Sequence, residues 1–170
     1  MKLYSGKISA IAADLLEALT HAHAIEIENR DEVLIDFESV MKEYLRMDRS
    51  IIEEAKNRMD AGGMGYGALG KVKSQLAKEK HLPPSDEVLP YLVQQILEML
   101  FYSNNVAEVF ATDVELREAI TPILRKHMDV DADVEKEVRD KIKNLEEGTA
   151  SFEVEYQKVM EQIKRKRGLI

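Results

Sequence analysis

Apolar residues recur at helical spacing near the start of the chain and again near its middle. In each series the apolar positions lie three or four residues apart, which places them along one face of a helix. The first series is Ile8, Ile11, Ala12, Leu15, Leu16 and Leu19, and the second is Leu89, Leu92, Val93, Ile96, Leu97 and Leu100. The constant offset between the two series indicates that one amphipathic helix occurs twice.

The same repetition continues in the segments that follow these helices. Residues 35–59 match residues 118–142 at a fixed offset. The aligned pairs include Val40 with Ile123, Tyr44 with His127, Leu45 with Met128 and Ile51 with Val134. Before these segments, each copy has a short β-branched stretch, AIEIE at 24–28 and NVAEVF at 105–110. These two stretches fit either a brief strand or a turn with apolar anchors, and the pattern leaves both open.

Capping residues predict where the later helices begin. Asp31 in the first copy, and the capping box formed by Thr112 and Glu115 in the second, mark the start of the second helix. A third helix is expected to open after residues 48–50 in the first copy and after residues 131–133 in the second. Carboxylates and hydroxyls at these positions can accept hydrogen bonds from free backbone N–H groups.

Each copy closes with a further amphipathic helix and a basic run, KEKHLPP at 78–84 and KRKRGLI at 164–170. We therefore predict an all-α fold built from two homologous repeats of about 85 residues, 1–84 and 85–170, each with three to four amphipathic helices. Because two copies are too few for a solenoid, we expect them to share one core and to pack with pseudo-two-fold symmetry. The alternative is two independent units joined by the HLPPSDE linker at 81–87.

Several motifs in different parts of the chain carry a resemblance to a known family. They are MKLYSGKISAIA at the start, EMLFYSNNVAEVF at 98–110, PILRKHM at 122–128 and KIKNLEEGTASFEVEYQKVMEQIKRKRGL at 141–169. Over essentially its whole length, the chain resembles the long, two-copy members of the bacterial domain-of-unknown-function 507 family. The resemblance implies a bacterial, cytoplasmic and predominantly helical protein. It carries over no activity, cofactor or catalytic residue.

Composition and charge narrow the classes of function. The 170 residues are 45% hydrophobic and 33% charged, which suits a soluble helical protein with a real core. The net charge of -8 repels nucleic acid and anionic membranes, so such binding would need a local basic patch. The absence of cysteine excludes disulfides, thiolate nucleophiles and cysteine-ligated zinc. No apolar run is long enough for a signal sequence or a membrane span, which predicts a cytoplasmic location and no membrane partner.

The glycine-rich stretch DAGGMGYGALGKVKS at 60–74 resembles two phosphate-binding motifs. Gly65, Gly67 and Gly70 fit G-x-G-x-x-G, and the run from Gly65 also fits most of a P-loop. However, a helical, charged segment precedes it where these motifs need a buried strand, and Val72 occupies the place of the magnesium-binding hydroxyl. We therefore interpret the glycines as a helix stop and restart, with positive φ at the C-cap.

Two further clusters have partial metal-binding patterns. Asp129, Asp131 and Asp133 have the spacing of the first three calcium ligands of an EF-hand loop, but the glycine and the bidentate glutamate that this loop requires are replaced. We interpret these carboxylates as a helix start. His21 and His23 would lie on different faces of a helix, and we interpret them as polar residues at a helix end. We therefore expect no bound metal ion and no cofactor.

The basic run Lys164, Arg165, Lys166 and Arg167 is the strongest charge cluster in the chain. Cations at the end of a helix oppose its dipole, and this role accounts for the run without any ligand. The alternative is a contact site for a partner or for nucleic acid. Four charges suffice only for weak, salt-sensitive binding to nucleic acid, without sequence recognition.

The sequence contains no recognisable catalytic motif, so we expect a protein that is not an enzyme. We expect a helical interaction or scaffold protein of the bacterial cytoplasm, whose protein partners do not follow from the sequence. The main alternative is a nucleic-acid- or ribosome-associated factor that uses the basic run. An enzyme with an unrecognised site is the third hypothesis, and a homo-oligomer is compatible with all three.

Overall fold

The computed structural model describes residues 1–170, except for the side chain of Tyr66. The chain is predominantly helical, as predicted. Its elements in order are α1 (Ile8–His21), β1 (Ile25–Ile27), α2 (Arg30–Gly62), α3 (Leu69–Glu79), α4 (Val88–Tyr102), β2 (Val106–Val109), α5 (Asp113–Met128), α6 (Asp131–Ile142) and α7 (Ala150–Lys166). A short 3-10 turn, Ser5–Lys7, leads into α1.

Four helices form the centre of the molecule. Both α1 and α4 pack against α2 and α5, so that the four helices surround one buried cluster. Its buried members include Leu16 of α1, Phe37 of α2, Leu97 of α4 and Leu124 of α5. The apolar stripes predicted for α1 and α4 supply much of this cluster, which is stabilised by about 25 cal/mol per Å² of apolar surface removed from water. Residues from both halves of the sequence therefore line the same cluster.

A two-stranded antiparallel sheet joins the two halves. Its pairs are Ile25 with Val109, Glu26 with Glu108 and Ile27 with Val106, with an irregularity between Glu26 and Ile27. Ile25 is buried and Val109 packs against the same core, so this face of the sheet points inward. The two stretches for which the sequence left strand and turn open are strands. The all-α prediction is corrected accordingly to a predominantly helical fold with a small sheet.

The prediction that a new helix begins after residues 48–50 is wrong. The α2 helix continues through this segment, where Asp48 forms an ion pair of 3.0 Å with Lys73 of α3 instead of capping a helix. The corresponding break in the second half does occur. There Asp131 opens α6, and its carboxylate accepts a hydrogen bond from the Tyr4 hydroxyl. The chain is thus helical without a break through Asp48, whereas it breaks between α5 and α6 just before Asp131.

Beyond the central bundle the chain forms two helical hairpins. The second half of α2 packs on α3 around a small cluster that includes Ile51, Ala55 and Leu76. The α6 and α7 helices pack on each other around Val138 and Ile163. Each hairpin therefore has a buried cluster of its own, apart from the one shared by the central helices.

Four helices end with a residue in the left-handed conformation. These residues are His23 after α1, Gly63 after α2, His81 after α3 and Gly168 after α7, with φ values of 51°, 61°, 56° and 61°. In each case the N–H group of this residue and that of the residue after it donate to carbonyl oxygens of the last helical turn, as in the Schellman motif. Gly63 confirms that the glycine-rich stretch contains a helix stop. The two histidines adopt a conformation that glycine adopts at lower cost.

Candidate docking surface

The basic run at the end of α7 is largely engaged within the chain. The Nε and Nη2 atoms of Arg167 donate to Oε2 of Glu137 at 3.0 and 2.7 Å. Arg165 forms an ion pair of 2.5 Å with Glu161, one turn earlier on α7. Lys166 has no ion-pair partner among the side chains that the structure describes. The run is thus split between internal ion pairs and solvent.

Lys164 belongs to a contact between the N-terminal segment and α7. Its Nζ atom lies 5.7 Å from the centre of the Tyr4 ring, and burial lowers the pKa of its ammonium group. Tyr4 is buried in the same cluster as Leu169. The N–H group of Gly6 donates to the carbonyl oxygen of Leu169 at 3.0 Å. The basic run therefore lies where the N-terminal segment closes over the α6–α7 hairpin.

The other sequence motifs also have structural roles. Gly63 ends α2, so a helix and not a strand precedes the glycine-rich stretch. Asp131 and Asp133 lie in the first turn of α6, so the acidic cluster is at a helix start, but the predicted side-chain cap is absent and Val130 occupies the N-cap position. His21 lies 3.4 Å from Glu17 on α1, and His23 follows the end of that helix. Within the described side chains, no three histidine and carboxylate groups converge closely enough to hold a metal ion.

A shallow cavity of about 500 Å³ lies between the start of α1 and the middle of α2. Its lining residues are Ser5, Ile8, Lys42, Leu45, Arg46, Arg49, Ser50 and Glu53. Lys42 pairs with Glu38 at 2.6 Å, and Arg46 pairs with Glu43 at 2.6 Å. Two of the three cations that line the cavity are thus paired with glutamates of α2, and Glu53 adds a carboxylate to the lining.

Among the side chains that the structure describes, the exposed aromatic ones lie in one short segment. The side chains of Phe101, Tyr102 and Phe110 are 58%, 84% and 56% exposed. The chain has six Tyr and four Phe residues, and every other one whose side chain is described is buried or partly buried. The three rings come from the end of α4 and from the residue after β2. Exposed large apolar side chains that lie close together along the chain are candidates for an interaction surface.

A polar network orders the turn between these rings. Asp36 of α2 accepts hydrogen bonds from the Ser103 hydroxyl and from Nδ2 of Asn105, the latter at 2.9 Å. The backbone N–H of Asn105 donates to the Ser103 hydroxyl at 3.0 Å. The carbonyl oxygen of Asn105 accepts from the N–H of Glu28 at 3.0 Å. These bonds tie the turn to α2 and to the sheet, so the rings project from a well-anchored backbone.

This surface was not predicted from the sequence, although a signal for it exists. Phe101 and Tyr102 directly follow Leu100, the last member of the apolar stripe of α4. At the same offset, the positions that follow the stripe of α1 hold Thr20 and His21. The two matching helices thus differ where one exposes aromatic side chains and the other polar ones. The difference between these two otherwise similar sequence segments is the signal that indicates the exposed aromatic positions.

The fold defines a predominantly helical protein with one small sheet and three exposed aromatic side chains between residues 101 and 110. The family model described as "Protein of unknown function (DUF507)" matches residues 1–169 of the chain. The chain therefore belongs to the DUF507 family, which confirms the resemblance carried by its motifs. None of the curated proteins compared with the chain is significantly similar to it. In the described part of the chain, no helix is long and apolar enough to cross a membrane.

Proposed function

We propose that this DUF507 protein is a non-enzymatic interaction protein that binds a protein partner through Phe101, Tyr102 and Phe110. The observation that supports the proposal most is that, among the side chains the structure describes, the exposed aromatic ones all lie within residues 101–110. Phe and Tyr are enriched at protein interfaces, because each ring removes a large apolar area from water when it is buried. The ordered turn between the rings lowers the entropy that binding would cost.

The two-repeat architecture with pseudo-two-fold symmetry is part of this proposal. Exchanging residues 1–84 with 85–170 replaces α1 by α4, and α2 by α5 and α6. The packing supports this exchange, since α1 contacts α2 and α5 while α4 contacts the same two helices, and β1 pairs with β2. In this arrangement both halves form one domain with a shared core, and that core fixes the position of the aromatic surface.

The proposal assigns the protein to the bacterial cytoplasm, as the family resemblance implies. A nucleic-acid-binding function through the basic run is less favoured. Arg165 and Arg167 pair with glutamates, which leaves less positive charge for phosphate groups. The net charge of -8 also repels nucleic acid at long range.

Affinity capture from the source cells tests the proposed interaction. Wild type is compared with the triple variant F101S/Y102S/F110S and with the control M64S/V154S. The control removes two apolar side chains, 50% and 68% exposed, from other parts of the molecule. We expect a partner that wild type and control capture and the triple variant loses, with all three giving the same helical circular dichroism. Capture of the same proteins by all three would contradict the proposal.

A further inference from the structure

Two glutamates lie directly opposite each other on the outward face of the sheet. Glu26 of β1 pairs in register with Glu108 of β2, and both side chains are exposed. Neither carboxylate has a cation within 4.0 Å among the described side chains. Like charges that are directly opposed across two strands destabilise the pairing. The fold itself therefore gains nothing from this pair of charges.

The surroundings of the pair are acidic as well. Residues 24–32 and 104–115 contain seven carboxylates and one cation, Arg30, in a chain whose net charge is -8. Arg30 lies 3.7 Å from Glu17 of α1, so it does not neutralise the pair. Four of the seven lie in the first turns of α2 and α5, where they favour the helix starts. Helix capping does not account for the other three, which are Glu26, Glu28 and Glu108.

The exposed ring of Phe110 shares a face with these carboxylates. Side chains alternate between the two faces of a strand, so Glu108 and Phe110 point to the same side while Val109 points to the core. The N–H of Phe110 donates to the carbonyl oxygen of Ala24 at 2.8 Å, which extends the pairing beyond the last residue of β2. An aromatic ring and two unneutralised carboxylates are thus presented together.

We propose that this outward face, formed by Glu26, Glu108 and Phe110, docks a basic segment of a protein partner. The inference rests on the proposed function and adds the chemistry of the partner. A lysine or arginine of the partner lies between the two carboxylates and relieves their repulsion, and an apolar side chain next to it covers the Phe110 ring. Charge-assisted hydrogen bonds from arginine to carboxylate are among the stronger polar contacts in proteins. Charge complementarity of this kind also accelerates association at low salt.

A random twelve-residue peptide library displayed on phage, selected against the full chain, tests the inference. We expect the enriched peptides to carry an excess of lysine and arginine beside apolar residues. Synthetic copies of the enriched peptides are then titrated calorimetrically against wild type and E26Q/E108Q. The affinity should fall by about tenfold or more in the variant and should fall with added salt. The control D60N/E153Q removes the same number of charges from the α2–α3 and α6–α7 hairpins and should leave the affinity near that of wild type.

Each outcome of this experiment bears on the inference. The variant E26Q/E108Q removes the repulsion between the two carboxylates, so its melting temperature should equal or exceed that of wild type. Loss of peptide binding by this variant can then not be attributed to unfolding. Failure to enrich peptides, enrichment without basic residues, or unchanged affinity in E26Q/E108Q would overturn the inference. If neutral peptides bind and F110S abolishes their binding, the proposed function stands and only the charge inference fails. If neither variant alters binding, both fail.

Discussion

His127 on α5 and Asp14 on α1 are 113 positions apart in the chain, yet Nε2 of His127 lies 2.8 Å from Oδ2 of Asp14. The imidazole is mostly buried, whereas the carboxylate is 42% exposed. This contact joins a helix from the first half of the sequence to a helix from the second. The same two helices also contribute residues to the buried apolar cluster, so both polar and apolar contacts join them.

The contact makes stability depend on pH through Asp14. Its hydrogen bond with His127, assisted by Lys126, holds the pKa of the Asp14 carboxyl below its usual value of 3.8. Because the pKa in the folded state is lowered, this stabilisation is complete above the unfolded-state pKa and is lost as the pH falls through the folded-state pKa. The substitution D14N should therefore lower the free energy of unfolding by less than about 1 kcal/mol at neutral pH, since the carboxylate is partly exposed and screened.

Urea unfolding of wild type and D14N at a series of pH values measures this effect. The difference in unfolding free energy between the two proteins should shrink as the pH falls below about 4. The variant K126Q is the control, because it removes only the longer 3.5 Å contact between Lys126 and Asp14, and it should have a smaller effect than D14N. A D14N penalty that stays constant from neutral to strongly acidic pH would contradict the prediction.

Gly6 is required by the close approach of two backbone segments. A Cβ atom at this position would lie 2.2 Å from the carbonyl oxygen of Gly168. G6A should therefore lower the free energy of unfolding by about 1–3 kcal/mol, as in other overpacked sites. G70A is the matched control, because Gly70 lies inside α3 with no described atom within 4 Å of the added Cβ. Its expected effect is a gain of about 0.5–1 kcal/mol, and an equal effect of both substitutions would be inconsistent with this contact.

His81 should limit stability at the end of α3. Its φ of 56° is a conformation that costs most side chains energy but costs glycine little. H81G should therefore raise the free energy of unfolding by about 0.5–1 kcal/mol. H81A removes the imidazole but keeps the unfavourable conformation, and thermal or urea unfolding should show no comparable gain. Equal free energies of unfolding for H81G and H81A would contradict the prediction, because the loss of the imidazole, and not the change in backbone preference, would then account for any gain.

Helices could be predicted from the sequence where the residues that determine them are neighbours in the chain. They could not be predicted where contacts with residues far away in the chain determine them. The stripe that includes Ile11 and Leu15 specifies a helix by its own spacing, because a buried face recurs with each helical turn. Beyond Asp48, α2 packs on a different helix, α3, and this distant contact cannot be read from the local sequence, which resembles that of a helix start. The exposure of Phe110 depends in the same way on which face of the sheet the core covers.

Separate expression of residues 1–84 and 85–170 tests whether the two halves form one domain. The buried cluster of the central helices contains residues from both halves, among them Leu16 and Leu97. Each fragment alone would expose its share of that cluster to water, so each should be largely unfolded or should associate with the other when mixed. Circular dichroism and calorimetry measure this directly. Two independent cooperative melting transitions would contradict the shared core.

Photo-crosslinking in the source cells is the most direct test of the claim that residues 101–110 bind a protein. The photoreactive amino acid p-benzoylphenylalanine is placed at position 102 or 110, where the native aromatic rings are exposed, and at position 154 as a control with comparable exposure. Irradiation should give a discrete adduct, identifiable by mass spectrometry, from positions 102 and 110 and not from position 154. The absence of an adduct at both positions, or the same adduct at all three, would contradict the docking surface.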